Sequence, residues 1–231
     1  VLQLFDKSLF ISLAPMMSII ALSIILFEAG INSDIVEIMQ SMAKSTFLSV
    51  STILSVTLVI GILLSFFMPG SFNLLQGMLL GAMVGGTSTV AVFGILEGLE
   101  GLEDSGSAKM ILTMESIVSD PFCIILSITL IRMIMQPGVS LRDSVNNILS
   151  TFILSSVLGL GIGLFWTRIL DRMKKTSFTY MITLSVLLPS YIMAEELVGE
   201  GGGAMTALAF GLAITNYRYI AEKLGWRKEI K

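Results

Sequence analysis

Histidine is absent from these 231 residues, and cysteine occurs once, as Cys123. Without imidazole there is no histidine general base, no histidine zinc ligand and no side chain that ordinarily titrates near neutral pH. One thiol permits no disulfide within the chain and no CxxC redox or metal motif. Proton chemistry is left to carboxylates and lysine. Charge is scarce too: 13% of residues, where a soluble domain carries about 25%. No nucleotide-binding glycine motif or low-complexity tract occurs, so neither a cofactor nor a nucleic-acid partner is expected. What fills the chain is apolar, 54% hydrophobic in long uncharged runs. That is the composition of a multi-span membrane protein surrounded by lipid. The 15 methionines read as lipid-facing filler, since none cluster at ligand spacing. The opening VLQLFDKS has neither an initiator Met nor the basic region of a secretory signal. Taken with an odd number of spans, it leads us to expect a segment of a longer protein.

Seven candidate spans are separated by short polar turns: residues 8–27, 46–68, 74–96, 108–135, 148–167, 177–194 and 203–217. Pro15 interrupts the first and Pro189 the sixth, while the seventh is short and follows a glycine cluster. Gly159, Gly161 and Gly163 in the fifth suit close helix packing. Arg168, Arg172, Lys174 and Lys175 follow that span, and placing them in the cytoplasm puts 11 of the 14 Lys and Arg on the same side. The expectation is a multi-pass cell-membrane protein with its first residue outside and its last cytoplasmic. Glu28 reads as a solvated end charge. Glu195 and Glu196 read as an outer interface cap, with a cation funnel as the alternative.

The fourth span, AKMILTMESIVSDPFCIILSITLIRMIM, carries Glu115 and Asp120 near its middle. A carboxylate at membrane depth costs at least ~2.5–3.5 kcal/mol, so two in one span need a reason. Pro121 removes a backbone hydrogen bond and disfavours helix at Asp120, which predicts a break there. Helical spacing sets Glu115 over Ser119 and Ser116 over Asp120, gathering oxygens on neighbouring parts of one face. These features together read as an ion site. Glu115 either meets the ion or is neutralised by a basic or protonated partner. In the third span, Gly85-Gly86-Thr87-Ser88-Thr89 interrupts an apolar run, and each glycine costs about 1 kcal/mol against alanine in a helix. Either the helix unwinds there to line a cavity, or small residues pack tightly with their hydroxyls bonded back to the helix. The carboxylate span beside it favours unwinding.

At these residues the sequence resembles the monovalent cation/proton antiporter superfamily, in particular its NhaP-like sodium/proton antiporters and related Kef-type transporters. LFEAGI at 26–31 is similar to the family's LF-x-x-G-L span end. GAMVGGTSTVAV at 81–92 is similar to its unwound GA-x-x-x-x-TDPVAV helix, and ESIVSD at 115–120 to its ESLLND helix. ALAFGLAITN at 207–216 is a weaker match to A-x-x-x-G-L-x-x-x-N. The resemblance implies an all-α polytopic membrane protein of about seven transmembrane helices. These would form the central part of a larger inverted-repeat antiporter fold with a discontinuous helix near 85–89. Residues 1–231 would be a partial exchanger domain, with core ion-binding helices at 46–135 and scaffold or dimer-interface helices at 1–45 and 147–231.

Carried over by position, Asp120 is the ion- and proton-binding carboxylate, lined by Glu115, Ser116, Ser119, Thr87 and Ser88. Asp120, Thr87 and Ser116 would be the ligands of a monovalent cation. Ser88 stands where many members have aspartate and Ser119 where they have asparagine or aspartate, which leaves Na⁺ against K⁺ open. The implied activity is secondary antiport of Na⁺ for H⁺ by alternating access, in a homodimer embedded in membrane lipid. The alternatives are K⁺/H⁺ antiport or, in another class, a cation channel. An enzyme is not expected: an intramembrane aspartyl protease wants two aspartates at mid-span, and only Asp120 lies there.

Overall fold

The computed structural model describes residues 7–87, 91, 95, 105–136, 138, 140–172 and 178–223. Among these, every regular element is a helix: α1 (Lys7–Ile31), α2 (Ile35–Phe67), α3 (Leu74–Val84), α4 (Ser105–Met135), α5 (Leu141–Arg172), α6 (Thr179–Leu197), α7 (Gly202–Thr215) and α8 (Tyr217–Lys223). Each of the seven expected spans corresponds to a helix in order, but they are not equal. Among the described residues, four stretches are long and apolar enough to cross a membrane: Ile11–Ile31, Ala43–Phe67, Val118–Met135 and Arg142–Arg172. Helices α3 and α7 are shorter apolar pieces.

Local chemistry sets several of these boundaries. Asp34 caps α2 by accepting from Val36 N at 2.7 Å. Asn73 and Gln76 form a reciprocal capping box at the start of α3, satisfying two backbone donors that a helix start leaves unpaired. That helix stops at Gly85, so the third span unwinds where the sequence placed the weak point. The expected break at Pro121 does not occur. Helix α4 runs unbroken from Ser105 to Met135 with Pro121 fully buried inside it. A proline removes one hydrogen bond, whereas packing on both flanks of this helix holds the backbone in place.

Two packed groups result. In one, α2, α3 and α4 close on Ile53, Ala82, Cys123, Leu126 and Leu130. In the other, α1, α5 and α6 surround α7, joining Leu26, Phe27, Leu187, Tyr191, Ala204, Ala207, Leu208 and Phe210. The groups meet where the turn before α7 lies on α4: a Cβ at Gly201 would stand 3.1 Å from Ile125 Cγ1. In lipid, apolar surface alone does not drive helices together, so close backbone approach must. Gly30 of α1 lies against the backbone of Leu208, Gly211 and Leu212, and Gly159 and Gly163 of α5 lie against Thr206, Ala209, Phe210 and Ala213. Gly161 differs from its expected role, because nothing stands within 4 Å of where its Cβ would be. It faces off the α7 side of the helix.

Polar contacts tie the helix ends together. Tyr180 donates to Glu28 Oε1 at 3.0 Å, and Asn216 Nδ2 to Ser33 O at 2.9 Å, at one end. At the other end Arg132 meets Glu200 at 3.2 Å.

Candidate ion site

The site forms where the unwound end of α3 meets the middle of α4. Past Val84 the chain turns through Gly85 and Gly86, which delivers Thr87 to the Glu115 face of α4. Thr87 Oγ1 donates to Glu115 Oε2 at 2.7 Å and lies 3.2 Å from Ser119 Oγ. Ser116 Oγ donates to the Thr87 carbonyl at 2.9 Å, and Ser119 Oγ to the Ser116 carbonyl at 2.9 Å. Glu115 is 3% exposed, and Ser116 and Ser119 are fully buried.

A hydroxyl has one hydrogen and two lone pairs. Thr87 Oγ1 and Ser119 Oγ lie 3.2 Å apart, where either hydroxyl can donate to the other, and each keeps a lone pair beside the Glu115 carboxylate. Oxygens so arranged next to a carboxylate suit a hard cation.

Asp120 is half-buried on the same side of α4, at the next residue of the break: a Cβ on Gly86 would stand 3.8 Å from Asp120 Oδ1. The structure thus gathers Thr87, Glu115, Ser116 and Ser119 into one hydrogen-bonded group, with Asp120 beside it at Gly86. Ser88 lies outside the described residues. Two end charges are more engaged than expected. Glu28 accepts the Tyr180 hydroxyl. Glu195 accepts Gly201 N at 2.9 Å and Gly203 N at 3.1 Å, capping the first turn of α7.

Sequence reasoning missed the contribution of α2. Ser49 Oγ donates to the Glu115 carbonyl at 3.0 Å, and Ser45 Oγ to the Ile111 carbonyl at 3.4 Å, fixing α4 against its neighbour. The signal was there. Ser45, Ser49, Ile53, Thr57 and Gly61 recur every fourth residue, one face of a helix, and all are buried.

With this geometry in place, the comparisons with known proteins fall into line. The family model "Sodium/hydrogen exchanger, transmembrane" matches residues 2–224. The chain belongs to that family. The K(+)/H(+) antiporter NhaP2 of Shewanella oneidensis is 30% identical over 193 residues, covering 82% of this chain and 33% of the relative. Sodium/hydrogen exchanger 8 of Arabidopsis thaliana is 24% identical over 212 residues, covering 87% of this chain and 26% of the relative. Among solved structures, the sodium proton antiporter MjNhaP1 from Methanocaldococcus jannaschii at pH 8 superposes with a TM-score of 0.70. That match covers 91% of this chain and 50% of the other at 15% identity, and it shows a shared fold. The chain spans about a third of the length of the curated relatives it matches.

Thr87 gives the first test. Valine keeps its shape and removes the hydroxyl, leaving a buried carboxylate oxygen without its donor, and hydrogen bonds to charged groups contribute about 1.5–3 kcal/mol. If Thr87 lines a cation cavity, Thr87→Val in the full-length protein is expected to weaken apparent cation affinity about tenfold or more while the maximal rate falls less, since a ligand of the bound ground state would be lost. The cation dependence of exchange in proteoliposomes measures both. Unchanged affinity would assign Thr87 to packing.

Proposed function

We propose that the full-length protein is a secondary antiporter that exchanges a monovalent cation for H⁺ by alternating access, with Asp120 as the shared ion and proton site. The observation that carries this is the meeting of an unwound α3 with two carboxylates and three hydroxyls of α3 and α4, within a chain of the exchanger family. Thr87, Ser116 and Asp120 would hold the cation, with Ser119 and Glu115 behind them and Ser88 following Thr87 along the break. Proton and cation would compete for Asp120, so each gradient could drive the other ion. The α2–α4 group, residues 46–135, would be the moving core. The helices gathered around α7, residues 1–45 and 147–231, would be the scaffold and homodimer interface. The protein would sit in the cell membrane with its first residue outside and its last inside, on the Lys and Arg distribution.

Na⁺ is the cation of the sequence reading. K⁺ is the second reading, favoured by the K(+)/H(+) antiporter names of the Shewanella oneidensis and Alkalimonas amylolytica relatives. Proteoliposomes of the full-length protein, given an outward Na⁺ or K⁺ gradient and a trapped pH dye, decide both points. Cation-driven pH change supports exchange, and the more effective ion names the substrate. Single-channel currents without coupled proton movement would replace the antiporter with a channel.

Stoichiometry follows from the charges. If a buried basic partner neutralises Glu115, then with serine at 119 Asp120 is the exchangeable acid, carrying one H⁺ or one cation at a time. Each cycle then moves no net charge. A membrane potential, worth ~2.3 kcal/mol per charge per 100 mV, has no lever on such an exchange. The reversal condition measured at fixed ion gradients should not move with voltage; a reversal point that shifts would assign a second carrier.

A further inference from the structure

A cation at Asp120 needs room beside the carboxylate, and a residue without a side chain makes it. A Cβ at Gly86 would stand 3.8 Å from Asp120 Oδ1, an ordinary contact, but 3.2 Å from Cys123 Sγ, which is crowded. The Asp120 carboxylate and the Cys123 thiol therefore converge on the point where a side chain at Gly86 would begin. The thiol and the backbone just before Gly86 are both held firmly. Cys123 packs within the cluster of Ile53, Ala82, Leu126 and Leu130, so its thiol has little freedom to swing aside. Gly85 is hemmed in as well: a Cβ there would stand 3.0 Å from the Gly81 carbonyl and 3.6 Å from Ile53 Cα.

We propose that Gly86 and Cys123 together form the size-determining wall of the cation space at Asp120. The missing side chain at 86 admits the ion, and the thiol, three residues beyond Asp120 on α4, limits its radius. A thiol is a soft, weak partner for an alkali cation, whereas carboxylate and hydroxyl oxygens are hard ones. Cys123 therefore acts as a boundary and the oxygens as ligands. This inference rests on the exchange reading and adds to it the residues that sort ions by size.

The test compares Li⁺, Na⁺, K⁺ and Rb⁺ as substrates in proteoliposomes of the full-length protein. Gly86→Ala places a methyl in the space and should weaken apparent affinity for K⁺ and Rb⁺ about tenfold more than for Li⁺, the discrimination one methyl ordinarily gives. Cys123→Ala should shift preference toward the larger ions. The double variant should recover K⁺ affinity, because the partner crowded by the new methyl is gone. A second measurement needs no substitution at Gly86. The S–H infrared band that Cys123→Ala removes should shift when the transported cation is added to wild type, and stay still in Asp120→Asn. Gly86→Ala effects that are equal for all four ions, no recovery in the double variant, or an S–H band indifferent to the cation would each overturn the wall. A wild type that exchanges none of the four ions would instead overturn the exchange reading itself.

Discussion

Vesicles carrying the full-length protein with Asp120→Asn are expected to exchange cations for protons no faster than protein-free vesicles, while the purified variant melts at or above the wild-type temperature. The two halves of this result have one cause. Asp120 lies half-buried at mid-span of α4, beside the break in α3. An ionised carboxylate at that depth costs at least ~2.5–3.5 kcal/mol, and the amide of nearly the same shape removes that charge. A carboxylate that served the fold would lose stability on becoming an amide. One kept for ion and proton exchange loses only function, since an amide neither binds a proton at working pH nor neutralises a cation. Measured side by side, transport and melting separate the two. A variant that still exchanges would move the site to Glu115, and one that neither folds nor exchanges would make Asp120 structural.

The second large effect concerns the fold. Gly30→Val or Gly211→Val is expected to abolish the monodisperse, folded protein in detergent. Each glycine sits where the backbones of α1 and α7 touch: a Cβ at Gly30 would overlap the Leu208 carbonyl oxygen, and one at Gly211 the Phe27 carbonyl oxygen. Overpacking a core commonly costs about 1–3 kcal/mol when side chains can adjust, and here the obstacles are backbone on both sides. The helices must separate, which would also pull Asn216 away from Ser33 O and Ile35 N and part the Phe27 and Phe210 rings, now 5.6 Å apart. Gly161→Val is the control, because its side chain would enter open space. Size-exclusion profiles and melting curves of the three variants test the idea. Gly30→Val eluting and melting like wild type would disprove the close α1–α7 contact.

Much of this was readable in the linear chain. The scarcity of charge and the long uncharged runs decide that the chain enters a bilayer, because transfer into lipid depends on composition. Gly85, Gly86 and the hydroxyl residues after them mark where α3 stops, since glycine weakens a helix wherever the helix lies. Glu115 and Asp120 stand out because acids at that depth are expensive. The four stretches that resemble the exchanger family were equally visible, but only as separate strings.

How those stretches meet was decided in three dimensions. Residues 26–31 pack on residues 207–216 through Gly30 and Gly211, and residues 85–87 reach residues 115–120 through Thr87. Helix α4 stays continuous through Pro121, packed on both flanks, although proline alone favours a break there. Of three glycines spaced two apart in α5, Gly159 and Gly163 face α7 and Gly161 does not. Ser49 joins the site only because α2 lies along α4. The physical reason is common to all of these. Hydropathy tells a segment to leave water, but lipid is as apolar as leucine, so it cannot tell that segment which helix to choose. That choice rests on backbone fit and on buried hydrogen bonds between residues far apart in sequence, which exist only once the helices have packed.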